Sequence, residues 1–112
     1  MAFYNWDKIE WETVETGIKR KIITGENLML VLYEIDSGKG LKEHTHPHEQ
    51  FVYVFKGRAE FTVDGEKAIV GPGDVVHVPP NVPHGGKVIS EDSLLELDVF
   101  YPIRRDFLKK EE

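Results

Sequence analysis

The chain has 112 residues, 40% hydrophobic and 30% charged, with a formal net charge of -6 and no cysteine. That length suits one domain with its own hydrophobic core and leaves little room for a second, and the composition is that of a soluble globular protein. Without cysteine there are no disulfides, thiolate metal sites or cysteine nucleophiles, and the acidic balance argues against nucleic acid, which needs a clustered basic surface.

Residues 1–8 lack the basic region and apolar run of a secretory signal, and no apolar stretch approaches the roughly 20 residues of a membrane helix. A cytoplasmic protein with no membrane partner is expected. The basic run Lys19-Arg20-Lys21, followed by Ile22 and Ile23, reads as the solvated side of a strand. Residues 28–33 are apolar on both faces, as a strand buried on both sides requires. Further short runs follow at 51–55, 58–63, 69–70, 75–78 and 94–101. Within 58–63, Ala59, Phe61 and Val63 alternate with Arg58, Glu60 and Thr62. Asp64-Gly65 then supplies a hairpin turn, since both tolerate positive φ. Glycine and proline cluster between the runs, at Gly38 and Gly40, Pro72-Gly73, Pro79-Pro80, Pro83 and Gly85-Gly86. Regular short strands with turn signals predict an all-β sandwich or barrel. No internal helix is expected, although residues 104–112 have the propensity for one or two helical turns.

The segment Glu43-His44-Thr45-His46-Pro47-His48-Glu49-Gln50 gathers three of the five histidines. On a strand, His44 and His46 project to the same face, close enough to share an ion. Pro47 breaks the ladder, after which the chain can return a third ligand to the same side. Imidazole with amide or carboxylate oxygen suits Zn, Ni, Fe, Cu or Mn and not Ca or Mg, which take mainly oxygen. A second histidine-bearing segment, residues 71–84, reads as a turn, a strand, a proline-rigid loop and His84.

Gly40-x3-His44-x-His46-x3-Gln50-x6-Gly57 resembles the first cupin motif, and Gly71 through His84 resembles the second, with the Asp64-Gly65 hairpin between them. The resemblance covers roughly residues 28–100. It implies an all-β, double-stranded β-helix (cupin, or jelly-roll) barrel making one domain of residues 1–112, with N-terminal strands in 1–27 and a tail over 102–112. It also implies one divalent metal ion, held by His44, His46, Gln50 and His84. The commonest cupin pattern has glutamate where this chain has Gln50. Gln50 ranks first as third ligand. Glu49 would need a bulge to reset the register. His48 ranks after both and suits the barrel mouth, exposed or orienting a ligand. His77, mid-strand and well away from His84 in sequence, is read as structural. Three neutral imidazoles and a neutral amide leave the ion its full double charge, which favours Lewis-acid work on a carboxylate or enolate. With Gln50 pointing inward, Val52 and Val54 follow, while Phe51, Tyr53 and Phe55 point outward. Three outward aromatics need a cover, so a homodimer is expected.

Along residues 94–101, Leu95, Leu97, Val99 and Tyr101 share one face and Glu96, Asp98 and Phe100 the other. The second row either faces water or lines the cavity. The run Asp98-Val99-Phe100-Tyr101-Pro102-Ile103-Arg104-Arg105-Asp106-Phe107-Leu108 resembles the ending of KdgF-type cupins, Asp-x-Phe-x-Pro-x-Arg-x-Asp-Phe, and favours the cavity. That resemblance implies a small anionic substrate, a 4,5-unsaturated uronate, opened to a linear 4-deoxy-5-keto sugar acid. Asp98 would serve as acid/base, Phe100 (with His48) as pocket wall and Arg104 as carboxylate clamp. The alternative for Arg104 is an ion pair with Asp106 or another neighbouring carboxylate. A metal-dependent dioxygenase or decarboxylase and a non-enzymatic small-molecule binding cupin are the competing functions.

Overall fold

The computed structural model describes residues 2–108. Within them a 3-10 turn at Trp6–Lys8 precedes ten strands: β1 (Glu12–Glu15), β2 (Ile18–Thr24), β3 (Met29–Ile35), β4 (Gly40–His44), β5 (Glu49–Lys56), β6 (Ala59–Val63), β7 (Glu66–Val70), β8 (Val75–Val78), β9 (His84–Val88) and β10 (Leu94–Tyr101). One helical turn, α1 (Arg105–Leu108), follows. One sheet runs β1-β2-β3-β10-β5-β8 and the other β4-β9-β6-β7, with every pairing antiparallel. Together they form the expected double-stranded β-helix barrel. No described helix is long and apolar enough to cross a membrane.

Period-two alternation decides which side chains fill the barrel. On β5, Gln50, Val52 and Val54 are buried while Phe51, Tyr53 and Phe55 are exposed; on β10, Leu94, Glu96, Asp98 and Phe100 are buried. Val52, Val54, Phe61, Val88 and Leu94 belong to one apolar cluster, and Met29, Val31, Phe100 and Ile103 to another. Each such side chain contributes about 1.5–3 kcal/mol on burial. The hairpin joining β6 to β7 turns at Asp64 (φ 51) and Gly65 (φ 84), as expected.

Several local expectations change. The buried strand begins at Met29, and Leu28 is exposed before it. Gly85-Gly86 is no turn but lies inside β9. A Cβ on Gly85 would stand 2.7 Å from the Leu41 carbonyl oxygen and one on Gly86 2.7 Å from that of Glu60. These glycines let β4 and β6 close on β9 from either side. His44 ends β4, so His46 sits in the following loop rather than on a strand. The run Lys19-Arg20-Lys21 is not one solvated face. Strand alternation turns Arg20 inward, its side chain only 12% exposed, while Lys19 and Lys21 lie over the Trp11 ring, each 4.7 Å from its centroid. Of the helical tail only Arg105–Leu108 forms, and the remainder of that expected stretch, 109–112, lies outside the described residues.

Gly57 ends β5 with φ 85, and a Cβ there would lie 2.5 Å from the Ser93 carbonyl oxygen. Gly57→Ala combines left-handed strain with a backbone clash and is expected to cost about 3 kcal/mol or more. Urea unfolding checks this, and an unchanged midpoint would overturn it.

Candidate metal centre and its cavity

The register of the six-stranded sheet stacks inward side chains in rows. Arg20, Tyr33, Glu96 and Val54 are aligned across β2, β3, β10 and β5. Ile22, Val31, Asp98 and Val52 form the next row, and Met29, Phe100 and Gln50 the one after. Polar groups therefore face one another inside the barrel because they share strand parity, although they are far apart in sequence. They line a cavity of about 260 Å³ together with His44, His46, His84, Arg104 and Phe107.

The three histidines converge from β4, the loop after it and β9. His44 is paired directly with His84 in the β4–β9 register. Each imidazole Nδ1 meets a backbone carbonyl: His44 with Lys42 at 2.8 Å, His46 with His48 at 3.0 Å, and His84 with Val82 at 3.0 Å. A carbonyl only accepts, so Nδ1 carries the proton and Nε2 keeps a bare lone pair. This is the orientation that carbonyl partners give metal-binding imidazoles. One ligand atom from each of the three lies within 4.8 Å of the others. Burial, the Arg104 cation and His84 push His46 down to about 4, and burial likewise lowers His84. Both imidazoles are therefore neutral near pH 7, and His84 Nε2 is buried with no partner among the described residues.

Gln50 completes the set. Its Nε2 donates to Asp98 Oδ2 at 2.9 Å, which turns Oε1 toward His46 Nε2 at 3.0 Å. Two lone pairs thus face each other across 3.0 Å, an arrangement that a cation between them relieves. The donors, imidazole nitrogens and an amide oxygen, fit a borderline divalent ion. Beside them Asp98 and Glu96 are fully buried neighbours. Burial and the adjacent Glu96 push the Asp98 carboxyl well above its ordinary range, and burial pushes Glu96 up as well. Two carboxylates so placed disfavour each other's ionisation. Asp98 Oδ1 and Glu96 Oε1 have no partner among the described residues.

Arg104 lies against this group. Its guanidinium is 4.1 Å from the Phe107 centroid and 5.1 Å from that of Phe100. It also pairs in parallel with Asp106, Nε to Oδ1 at 3.1 Å and Nη2 to Oδ2 at 2.9 Å, the ion pair given as the alternative for Arg104, and it lines the cavity as well. The same pair draws Asp106 below the usual carboxylate range. Glu49 points out of the barrel, where its Oε2 bonds His77 Nε2 at 2.7 Å. His48 packs beside His46 and Phe100, with ring centroids 5.5 and 6.5 Å away, but is absent from the cavity lining. Its backbone oxygen, on His46 Nδ1, adds a second link to the histidine cluster. Sequence reading missed Arg20, Tyr33 and Phe107 as lining residues and gave Glu96 no role. The signal for Arg20 was its parity with Ile18 and Ile22, which alternation places on one face.

A double-stranded β-helix with three imidazoles converging inside its barrel defines a cupin with a site suited to a divalent metal. The family described as Cupin domain matches residues 31–100. The pectin degradation protein KdgF of Dickeya dadantii is 40% identical over 104 residues, covering 91% of this chain and 94% of that protein. The solved structure of KdgF from a Halomonas species has a TM-score of 0.88 at 36% identity, over 96% of this chain and 98% of that one. An RmlC-like cupin from Shewanella frigidimarina gives 0.88 at 32% identity, over 96% of both chains. The chain belongs to the cupin family.

The buried carboxyl pair carries a pH signature. In the fold Asp98 holds its proton to higher pH than in the unfolded chain, so the unfolded state loses its proton first as pH rises. Stability present below the unfolded value is then lost as pH climbs toward the folded one. Asparagine has no proton to lose. Metal-free Asp98→Asn is expected to gain on wild type between about pH 4 and about pH 8, its Tm advantage widening by a few degrees. An advantage that shrinks with rising pH would overturn the assignment.

Proposed function

We propose that the protein is a metal-dependent isomerase that opens a 4,5-unsaturated uronate to a linear 4-deoxy-5-keto sugar acid. The observation that carries this reading is the hydrogen bond joining Gln50 to Asp98. It sets a carboxyl that holds a proton directly beside a donor set suited to a metal. The likeness to a pectin degradation protein supports a sugar acid as the substrate class. In this reading His44, His46, His84 and Gln50 hold one divalent ion, which supplies Lewis acidity to a substrate oxygen when bound.

The chain's own residues account for the proton movements. The planar, charged fork of Arg104 binds the substrate carboxylate, and Phe100 flanks the sugar ring. The neutral Asp98 carboxyl gives its proton to C4 of the enol ether. The resulting Asp98 carboxylate takes the proton from the anomeric hydroxyl. The C1–O5 bond then breaks, C1 becomes the aldehyde and C5 the ketone. One proton moves from oxygen to carbon and nothing is oxidised or reduced. Burial keeps Asp98 protonated for the first step, and Glu96 keeps its pKa high enough to reclaim a proton.

Loss of the substrate's ultraviolet double-bond absorbance checks the reaction. Metal-loaded wild type is expected to remove it, Asp98→Asn to lower kcat by about 10²–10⁴-fold, and Arg104→Met to raise KM. No absorbance change at high concentrations of metal-loaded wild type rejects the substrate.

The same reading extends to assembly. Phe51, Tyr53 and Phe55 on the outer face of β5 are 46%, 41% and 47% exposed, and adjoining aromatics of this kind mark an association surface. We propose a homodimer through this face. Sedimentation as a dimer at micromolar concentration is expected, with Tyr53→Glu shifting it to monomer; wild type that sediments only as monomer rejects it.

A further inference from the structure

Arg20 is an inward cation that the proposed reaction leaves unused. It lies on β2 directly across from Glu12 on β1 and Tyr33 on β3. Its Nε donates to Glu12 Oε1 at 3.0 Å and its Nη1 to the Tyr33 hydroxyl at 3.4 Å, and its guanidinium stands 4.2 Å from the Phe107 centroid. Arg104 lies 4.1 Å from the same ring, so two guanidinium groups flank one phenyl group on the cavity wall. Each is anchored by a more exposed carboxylate, Glu12 or Asp106, and each side chain is only 12% exposed. Anchored this way, both keep N–H groups that no described residue accepts.

An ion pair that only tied β1 to β2 would need neither the tyrosine nor the cavity. Arg20 has both, and both line the chamber that holds the three histidines, Asp98 and Arg104.

We propose that Arg20 and Tyr33 form a second oxygen-binding station of the cavity, which reads hydroxyl or carbonyl oxygens of a sugar acid whose carboxylate is held at Arg104. This rests on the sugar-acid reading of the ligand but not on its turnover. Arg20 donates from its free N–H groups. The Tyr33 hydroxyl accepts from Arg20 and can still donate its own proton. Burial and the nearby Asp98 push that hydroxyl up to about 12, so it stays a donor throughout the physiological range. The station selects acids that carry oxygen functions beyond the carboxylate, because a short acid leaves its donors unmet.

Isothermal titration of the full-length, metal-loaded protein with galacturonate and with acetate tests this. Galacturonate has the carboxylate and the further hydroxyls but no double bond to react. Wild type is expected to prefer galacturonate by about tenfold or more. Arg20→Met should weaken galacturonate by about tenfold while leaving acetate within about twofold, and Tyr33→Phe should do the same to a smaller degree. Arg104→Met should weaken both acids. Arg20→Lys, which keeps charge but loses the fork, should lose most of the preference. Where Arg20→Met does not fold, Tyr33→Phe and Arg20→Lys carry the comparison. A wild type that binds the two acids alike overturns the station. So does an Arg20→Met that weakens both equally, or that lowers Tm with the preference intact. Discrimination that persists in a protein unable to turn over the unsaturated uronate supports the station and rejects only the reaction.

Discussion

The hydrogen bond from Gln50 Nε2 to Asp98 Oδ2, 2.9 Å long, is the constraint on which the rest of the site depends. An amide has one donating and one accepting end, and with Nε2 given to Asp98 its Oε1 faces His46. The oxygen is left to the histidines. A glutamate at this position would set a third carboxyl beside the buried Asp98 and Glu96, which already disfavour each other's ionisation. Glutamine at position 50 and the carboxyl pair on β10 are therefore one arrangement. The neutral amide lets two acids be buried next to the three imidazoles, and the acids in turn orient the amide.

Charge around the histidines follows the same economy. Burial, with a smaller push from Arg104, lowers both His46 and His84, which keeps these two imidazoles free of protons and their lone pairs open. A bare arginine so near a divalent ion would also repel it. Asp106 takes up that charge through two parallel bonds, and Phe100 and Phe107 hold the guanidinium over their faces. The cation is fixed in place while much of its field is neutralised from the solvent side. In the proposed reading, an arriving carboxylate would then bind its free N–H edge without the site having repelled the metal first.

The sequence made parity legible and left proximity across strands mostly hidden. Outward Phe51, Tyr53 and Phe55 opposite inward Gln50, Val52 and Val54, and the shared face of Glu96, Asp98 and Phe100, follow from alternation, while the resemblance of residues 98–108 chose cavity over water for that last row; each lies where expected. The bounds of β10 were readable to the residue, since eight residues alternate without a break. The metal-site histidines were legible through motif spacing, although His46 reaches its place from a loop. What alternation could not supply was the pairing of β2 with β3 and of β3 with β10. That register puts Arg20 and Tyr33 in line with Glu96, and its β3–β10 half joins Tyr33 to a strand far along the chain. Charge composition also misled at Arg20, because three adjacent basic residues resemble one face although a strand splits them between two. The glycines of β9 failed for a related reason. Gly85 and Gly86 resemble a turn until the backbones of β4 and β6 are seen to occupy the space a Cβ would need.

The site is expensive to fold, and the two apolar clusters explain how it stands. A buried His84 Nε2 without a partner among the described residues, two adjacent buried carboxyls and opposed lone pairs at His46 and Gln50 each favour the unfolded chain, where water would satisfy them. None can relax by moving, because the strands that carry them also carry the core. Asp98 is set between Val52 and Val31 in the register, and Phe100 between Gln50 and Met29. Shifting β10 by one residue would relieve the carboxyls but expose Leu94 and Phe100, both almost fully buried, and invert every side chain on the strand. The apolar residues of β10 thus hold its polar ones in an environment they would otherwise leave. A divalent ion at the three imidazoles would remove two of these penalties together, the unmet nitrogen and the facing lone pairs, so the energy the fold stores there becomes affinity for the metal.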